Sequence, residues 1–460
     1  MPMRLAVCSL LSLAFIPAHA DKIDAYVKQV MAEGKVPGMT IGIIRNGKLV
    51  SERAYGVSDL ELQSKTTKDD IFEIGSMTKQ FTAFGAMMLV DEGKIGLEDP
   101  VSKYIPEAPD AWKDIKVRNL LNQNSGLQDY AFVPGIGLLD DFDRKTWMDK
   151  MTKLPLDFEP GLTWAYSNSN YALLGWIIEK AAGMPYKKFM TERVLQPLGM
   201  THTTFDDTSL VITHRAHGYL HLTQDLTRSK VGGGMSIDSD GSLMSNIEDL
   251  AKWDDALREH KLLKQSSYDL IWSPGKLNSG RVRFYGMGWF LAAPGSVPYE
   301  GHGGNSIGYS AGIARYPAKG ITVVILCNVY AINGEGTAKG VAELYDPSLA
   351  PVVPKESPDP DPARTEHVKA AILAVGSGKA DADLLDPELL APMKTARAGA
   401  AGPSPLKNVD ALNWCGVTEA SGESFLTYRL KSGARWFTLY ALLTPEGKLA
   451  AYILRTDPVK

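Results

Sequence analysis

Apolar and polar positions alternate in two patterns along this chain. From Asp21 to Gly34 the apolar residues Ile23, Val27, Val30 and Met31 recur at helical spacing, so an amphipathic helix is expected there. Met39–Ile44 and Leu49–Tyr55 are strand-like runs on either side of Arg45-Asn46-Gly47-Lys48, and Asn-Gly between apolar runs predicts a tight hairpin. A helix is expected from Ser76 to Glu92, closed by Gly93. Residues 100 to 260 read as helices and loops with many Pro and Gly breaks. Strands return at Phe284–Leu291, Ser310–Tyr316 and Ile321–Asn328, with Pro317-Ala318-Lys319-Gly320 as a turn between the last two. A sheet that starts near the N-terminus, is interrupted and then resumes implies one mixed α/β (α+β) domain with a mainly helical insertion, over residues 21–345.

The stretch 346–364 carries Pro347, Pro351, Pro354, Pro358, Pro360 and Pro362, and reads as a linker. Beyond it, residues 365–460 suggest a small α+β domain. Helices are expected at Thr365–Gly376 and Ala382–Lys394, then four antiparallel strands at Ala411–Val417, Ser424–Leu430, Arg435–Thr444 and Lys448–Leu454. The role of this domain stays open between a ligand site of its own, a cap over the active site and a homodimer contact.

At 460 residues the chain exceeds one ordinary core. Its net charge of −4, with no basic stripe interleaved with aromatics, argues against nucleic acid as a partner. The first 20 residues read as a signal peptide: Arg4, an apolar stretch from Leu5 to Ile16, and Ala18-His19-Ala20 as the cleavage site. The apolar run is shorter than the roughly 20 residues a bilayer requires. Val7 ahead of Cys8 does not suit a lipoprotein signal. Cleavage would leave the mature chain one unit more negative, with no transmembrane segment, in a periplasmic or secreted location. That compartment permits a Cys327–Cys415 bridge, but Cys327 sits in a buried-strand run, where cysteine behaves as a small hydrophobe.

Three short segments carry candidate chemistry. Ser76-Met77-Thr78-Lys79 puts a serine and a lysine on one helix face, and a lysine held neutral by its surroundings can take a serine's proton. In Tyr166-Ser167-Asn168 a phenol and an amide are one residue apart. A phenol near an ammonium can relay protons, and the amide can bond a lysine and a substrate carbonyl. Gly301-His302-Gly303-Gly304-Asn305 places glycines ahead of a strand, where backbone can approach a ligand closely.

Together these segments resemble the serine β-lactamase and penicillin-binding-protein superfamily, in its class-C-like branch with D-aminopeptidases, DD-peptidases and esterases. Ser-x-x-Lys, Tyr-x-Asn and a Lys/His-x-Gly triplet appear in the family's order at Ser76–Lys79, Tyr166–Asn168 and His302–Gly304. Leu120–Leu127, Pro160-Gly161, Gly232-Gly233-Gly234 and Ser245–Leu250 also look like the family. The resemblance covers residues 22–345. It implies an antiparallel sheet flanked by helices, with Ser76 as nucleophile, Lys79 and Tyr166 sharing proton transfer, and Asn168 positioning Lys79 and substrate. His302, Gly303 and Gly304 would lie along the substrate, and the N–H groups of Ser76 and Asn305 would form the oxyanion hole. A small-molecule or peptide substrate is implied, with no cofactor and no metal. His302 stands where many β-lactamases carry a lysine, a permanent cation. An ester or D-amino-acid peptide is therefore expected ahead of a β-lactam. The alternatives are a β-lactamase, a DD-carboxypeptidase, or a non-enzymatic sensor that is acylated without turnover.

Two other groupings point elsewhere. His214, His217 and His221 lack a matched metal-ligand set. Asp140, Asp141 and Asp143 read as a solvated turn.

Overall fold

The structure, a computed structural model, describes residues 17–457 apart from 208, 222–224, 230–236 and 394–404. The segment Gly232-Gly233-Gly234 and most of the signal-like N-terminus lie outside the described residues.

The first helix, α1 (Pro17–Glu33), buries Ile23 and Val27 as their spacing requires, and it starts before the Asp21 expected from the pattern. The hairpin β1 (Gly38–Arg45) and β2 (Lys48–Asp59) turns through Asn46 at φ 49° and Gly47 at φ 75°, the left-handed pair that a two-residue connection needs. After the short β3 (Ser64–Lys65) the chain enters α2 (Thr78–Asp91), and the inserted block follows, including α3 (Asn168–Ala182) and α4 (Ile247–Arg258). It then returns as β4 (Phe290–Leu291), β5 (Glu300–Ser306), β6 (Tyr309–Tyr316) and β7 (Ile321–Cys327), before α5 (Gly334–Tyr345). The sheet order is β4-β5-β6-β7-β1-β2-β3, antiparallel throughout.

Pairing of β1 with β7, from Met39–Cys327 to Arg45–Ile321, closes the sheet around the insertion. The faces follow the period-2 rule. Val323, Ile325 and Cys327 pack with the α1 and α5 side chains, whereas Val324 and Leu326 join the core of the inserted block. Cys327 is buried, and both described cysteines are free.

Two strand expectations need correction. Phe284–Leu291 is not one strand: Val282–Arg283 pairs with Gly275–Lys276, and the chain then turns through Gly288 at φ 81° before β4. Gly301–Asn305 does not precede a strand but forms most of β5, paired with β6 from Glu300–Arg315 to Ser306–Tyr309.

After residue 346 a 3-10 turn at Pro347–Leu349 and irregular chain lead to α6 (Pro362–Ser377). This helix starts three residues before the expected Thr365, because Asp361 caps it and Pro362 fits its first turn. The second expected helix is shorter, α7 (Pro387–Met393). The meander β8 (Ala411–Ala420), β9 (Glu423–Ser432), β10 (Arg435–Leu443) and β11 (Leu449–Thr456) has a core of its own around Tyr428, Leu430 and Leu439. Among the described residues no helix is long and apolar enough to cross a membrane.

Candidate active site

Ser76 stands on a 3-10 turn, Gly75–Met77, that feeds α2. Gly75 has φ 51°, and Thr78 Oγ1 accepts from Leu243 N at 3.1 Å, so the turn is pinned at both ends. One helical turn later Lys79 is fully buried. Its ammonium donates to Ser76 Oγ at 3.1 Å, to Asn168 Oδ1 at 2.8 Å and to the Asp240 backbone carbonyl at 2.7 Å, which uses all three of its protons. Burial lowers the Lys79 pKa to about 8, while Asp240 and Asp129 oppose that shift.

Asn168 opens α3, and its own placement is fixed by Asp129, which accepts from Asn168 N at 3.2 Å and Nδ2 at 3.3 Å. The Asn122–Leu127 segment cradles this approach. Gln123 Oε1 accepts from Ser167 N at 2.9 Å and Asn170 Nδ2 at 2.5 Å, and the Gln123 carbonyl accepts from Ala165 N at 3.0 Å. Tyr166, between these anchors, turns its ring face to Lys79, whose Nζ lies 4.9 Å from the ring centroid. The Tyr166 ring stacks with Phe290 at 6.5 Å and meets Tyr285 at 6.3 Å and His302 at 6.1 Å.

His302 is 1% exposed. Nδ1–H donates to the Gly303 carbonyl at 2.5 Å, and Nε2 accepts from Tyr285 OH at 3.2 Å. Burial pushes its pKa down to about 3, so the imidazole is neutral at pH 7. Both ring nitrogens are bonded within the protein, and the neutral ring offers no cation to a substrate carboxylate.

The glycines of β5 divide in function. A Cβ on Gly304 would come within 1.8 Å of the Ile74 carbonyl oxygen and 3.2 Å of Met77 N, so the strand is pressed against the serine turn. Asn305 backbone atoms would lie 2.7 Å from a Cβ on Gly75. Gly303 has room, its nearest neighbour being Glu335 Cβ at 3.7 Å. Gly304→Ala is expected to cost about 1–3 kcal/mol of stability, and Gly303→Ala less than about 1 kcal/mol, in urea unfolding monitored by circular dichroism. Equal midpoints for the two variants would refute this packing.

Asp240, Asp129, Tyr285 and Phe290 were not singled out from sequence. Asp240 is fully buried, its Oδ2 accepts from Tyr130 OH at 2.6 Å, and burial lifts its pKa to about 7. Nothing about Ser239-Asp240-Gly241 marks it locally, because its relation to Lys79 exists only after folding. The three histidines are dispersed: His217 Nδ1 lies 3.1 Å from Asp59 and His221 Nε2 3.0 Å from the Gly34 carbonyl. No metal-binding cluster occurs among the described residues. Asp143 caps a short helix at Arg144–Met151, and Asp140 accepts from Gly137 N.

The family model described as Beta-lactamase matches residues 23–344. The chain belongs to the beta-lactamase family. This membership places it among the serine hydrolases of that superfamily. Penicillin-binding protein 4* of Bacillus subtilis (strain 168) is 30% identical over 306 residues, 63% of this chain and 67% of that protein. Protein flp of Staphylococcus aureus (strain N315) is 30% identical over 338 residues, 70% of this chain and 65% of that protein. The chain thus spans about two thirds of the curated relatives it matches. The octameric penicillin-binding protein homologue from Pyrococcus abyssi shares the fold, with a TM-score of 0.65 at 22% identity, over 95% of this chain and 98% of that one. The C-terminal sheet falls within that likeness, since 95% of the chain cannot be covered without it.

Proposed function

We propose that this beta-lactamase-family chain is an exported serine hydrolase that forms an acyl-enzyme on Ser76, with a small ester or a D-amino-acid peptide as substrate. The observation that carries the reading is the buried Lys79, wired to Ser76 Oγ, with a pKa brought near the working range. In the reaction, Ser76 Oγ attacks the carbonyl carbon and its proton passes to the Lys79–Tyr166 pair. The N–H groups of Ser76 and Asn305 receive the oxyanion. Collapse expels the alcohol or amine, which takes the proton. Water then attacks the acyl ester by the same route and frees Ser76. Asn168 holds Lys79 in place throughout.

A neutral, enclosed His302 favours substrates with no carboxylate at that point, which sets esters and D-peptides ahead of β-lactams. Relatives named as penicillin-binding proteins support acylation by a β-lactam as the second reading. Export rests on Arg4, the Leu5–Ile16 run and Ala18-His19-Ala20, which lead to the periplasm or the exterior. Self-association draws support from the octameric state named for the archaeal homologue.

The test is a panel of a p-nitrophenyl ester, a D-alanyl peptide and nitrocefin, each quenched early for peptide mass mapping. An acyl adduct on Ser76 and faster turnover of ester or D-peptide are expected. An adduct on another residue, or none with any substrate, overturns the mechanism. Nitrocefin turning over fastest overturns the substrate order.

A further inference from the structure

One residue of the C-terminal part, Glu388, touches both segments that build the wall of the site, and Asp386 beside it pairs with Arg281 at 3.4 Å. On α7, Glu388 is 3% exposed and lies between two segments of the hydrolase part. Its Oε2 accepts from Arg283 Nη2 at 2.6 Å, and its Oε1 pairs with Arg281 Nη1 at 3.0 Å. Its backbone carbonyl accepts from Thr163 Oγ1 at 2.7 Å. Thr163 precedes Tyr166 by three residues, and Arg283 precedes Tyr285 by two. The two segments are also tied to each other, because Asn278 N donates to the Gly161 carbonyl at 2.8 Å and Asn278 Nδ2 to the Pro160 carbonyl at 2.9 Å.

Just beyond these ties the segments supply one aromatic cluster. Trp164 lies 5.8 Å from Tyr285 and 6.3 Å from Phe290, and Phe290 lies 5.0 Å from His302. Tyr166 of this cluster covers Lys79. Adhesion between the two parts has another source. Phe284 packs on Phe425 at 6.2 Å and joins an apolar patch with Tyr440 and Leu442. A buried ion pair is a weak source of stability, because desolvation offsets its attraction, but it is directional. A carboxylate shared by two guanidiniums and backed by a third contact therefore sets position, not adhesion.

We propose that Glu388 is a positioning residue of the hydrolase site, clamping the Thr163–Tyr166 and Arg283–Phe290 segments so that the C-terminal part fixes the width of the aromatic wall. The wall then discriminates acyl groups by size. The kinetic half of this inference rests on the hydrolase reading, and the structural half does not.

The experiment uses the full chain with Glu388→Gln, an isosteric change that removes the charge, and Glu388→Asp as the conservative variant. Hydrogen–deuterium exchange is followed in residues 160–168 and 281–291. Values of kcat and KM are measured on p-nitrophenyl acetate and octanoate. Faster exchange in both segments is expected for Glu388→Gln, with the acetate-to-octanoate ratio of kcat/KM changing about tenfold and partial return in Glu388→Asp. Exchange that changes only around residues 385–393, or a ratio unchanged in an active enzyme, overturns the proposal. If Glu388→Gln does not fold, Arg283→Lys keeps the charge but loses the fork, and the same two readouts decide. If the wild type turns over neither these esters nor a D-alanyl peptide while exchange rises in both segments, the hydrolase reading falls and the clamp stands.

Discussion

Ser76→Ala is expected to lower ester turnover by roughly 10⁴- to 10⁶-fold, since no second step proceeds without the acyl-serine. The residual rate would come from binding and the oxyanion site alone. The substitution removes one half-buried atom, and Lys79 keeps its bonds to Asn168 Oδ1 and the Asp240 carbonyl. Stability should therefore change by less than about 1 kcal/mol, which separates lost chemistry from lost fold. The check is kcat on the p-nitrophenyl ester beside the melting temperature, with peptide mapping for the adduct. A variant that keeps more than a tenth of wild-type turnover on every substrate would remove Ser76 from the role of nucleophile.

Local sequence was a good guide wherever local chemistry decides structure. Asn46-Gly47 specified the hairpin because few other pairs accept two left-handed residues in succession. The near-continuous apolar run of β7 specified a strand buried on both faces, and the four C-terminal strands emerged from their turns. The strand β5 escaped notice because four of its residues are glycine or histidine, poor in strand propensity. Seven cross-strand pairs with β6 and contact with the serine turn hold it extended all the same. The opposite error, one strand from 284 to 291, came from apolar composition that hides a turn at Gly288.

The site divides along the same line. Ser76, Lys79 and Asn168 lie in short motifs, and the fold joins them by direct hydrogen bonds. Asp129 and Asp240 act on Lys79 across 50 and 161 residues of chain, so no window of sequence contains the pair. Burial was the other blind spot. Nothing in Gly301-His302-Gly303-Gly304 announces the three aromatic rings that enclose His302 and keep it uncharged.

Lys79→Arg is expected to lower kcat by about 10²- to 10⁴-fold, the span of general acid–base catalysis. A guanidinium stays protonated at every accessible pH, so it cannot accept the Ser76 proton. Its planar fork also does not match three acceptors arranged around one nitrogen. In the wild type, kcat/KM should rise as Lys79 loses its proton, with a midpoint near the value of about 8 that burial imposes. The groups facing that nitrogen fix the direction of a further shift. The Asp240 and Asp129 carboxylates favour the ammonium, the Tyr166 and Tyr171 ring faces surround it, and neutral His302 adds no charge. Asp240→Asn removes one anion, so the proton should leave Lys79 more readily and the rising limb should move to lower pH. Asp240 and Lys79 each shift the other electrostatically, so the wild-type limb should belong to the pair and the asparagine variant should show a simpler one-proton limb. A Lys79→Arg enzyme within tenfold of wild type would refute the assignment, as would a limb that moves upward in Asp240→Asn.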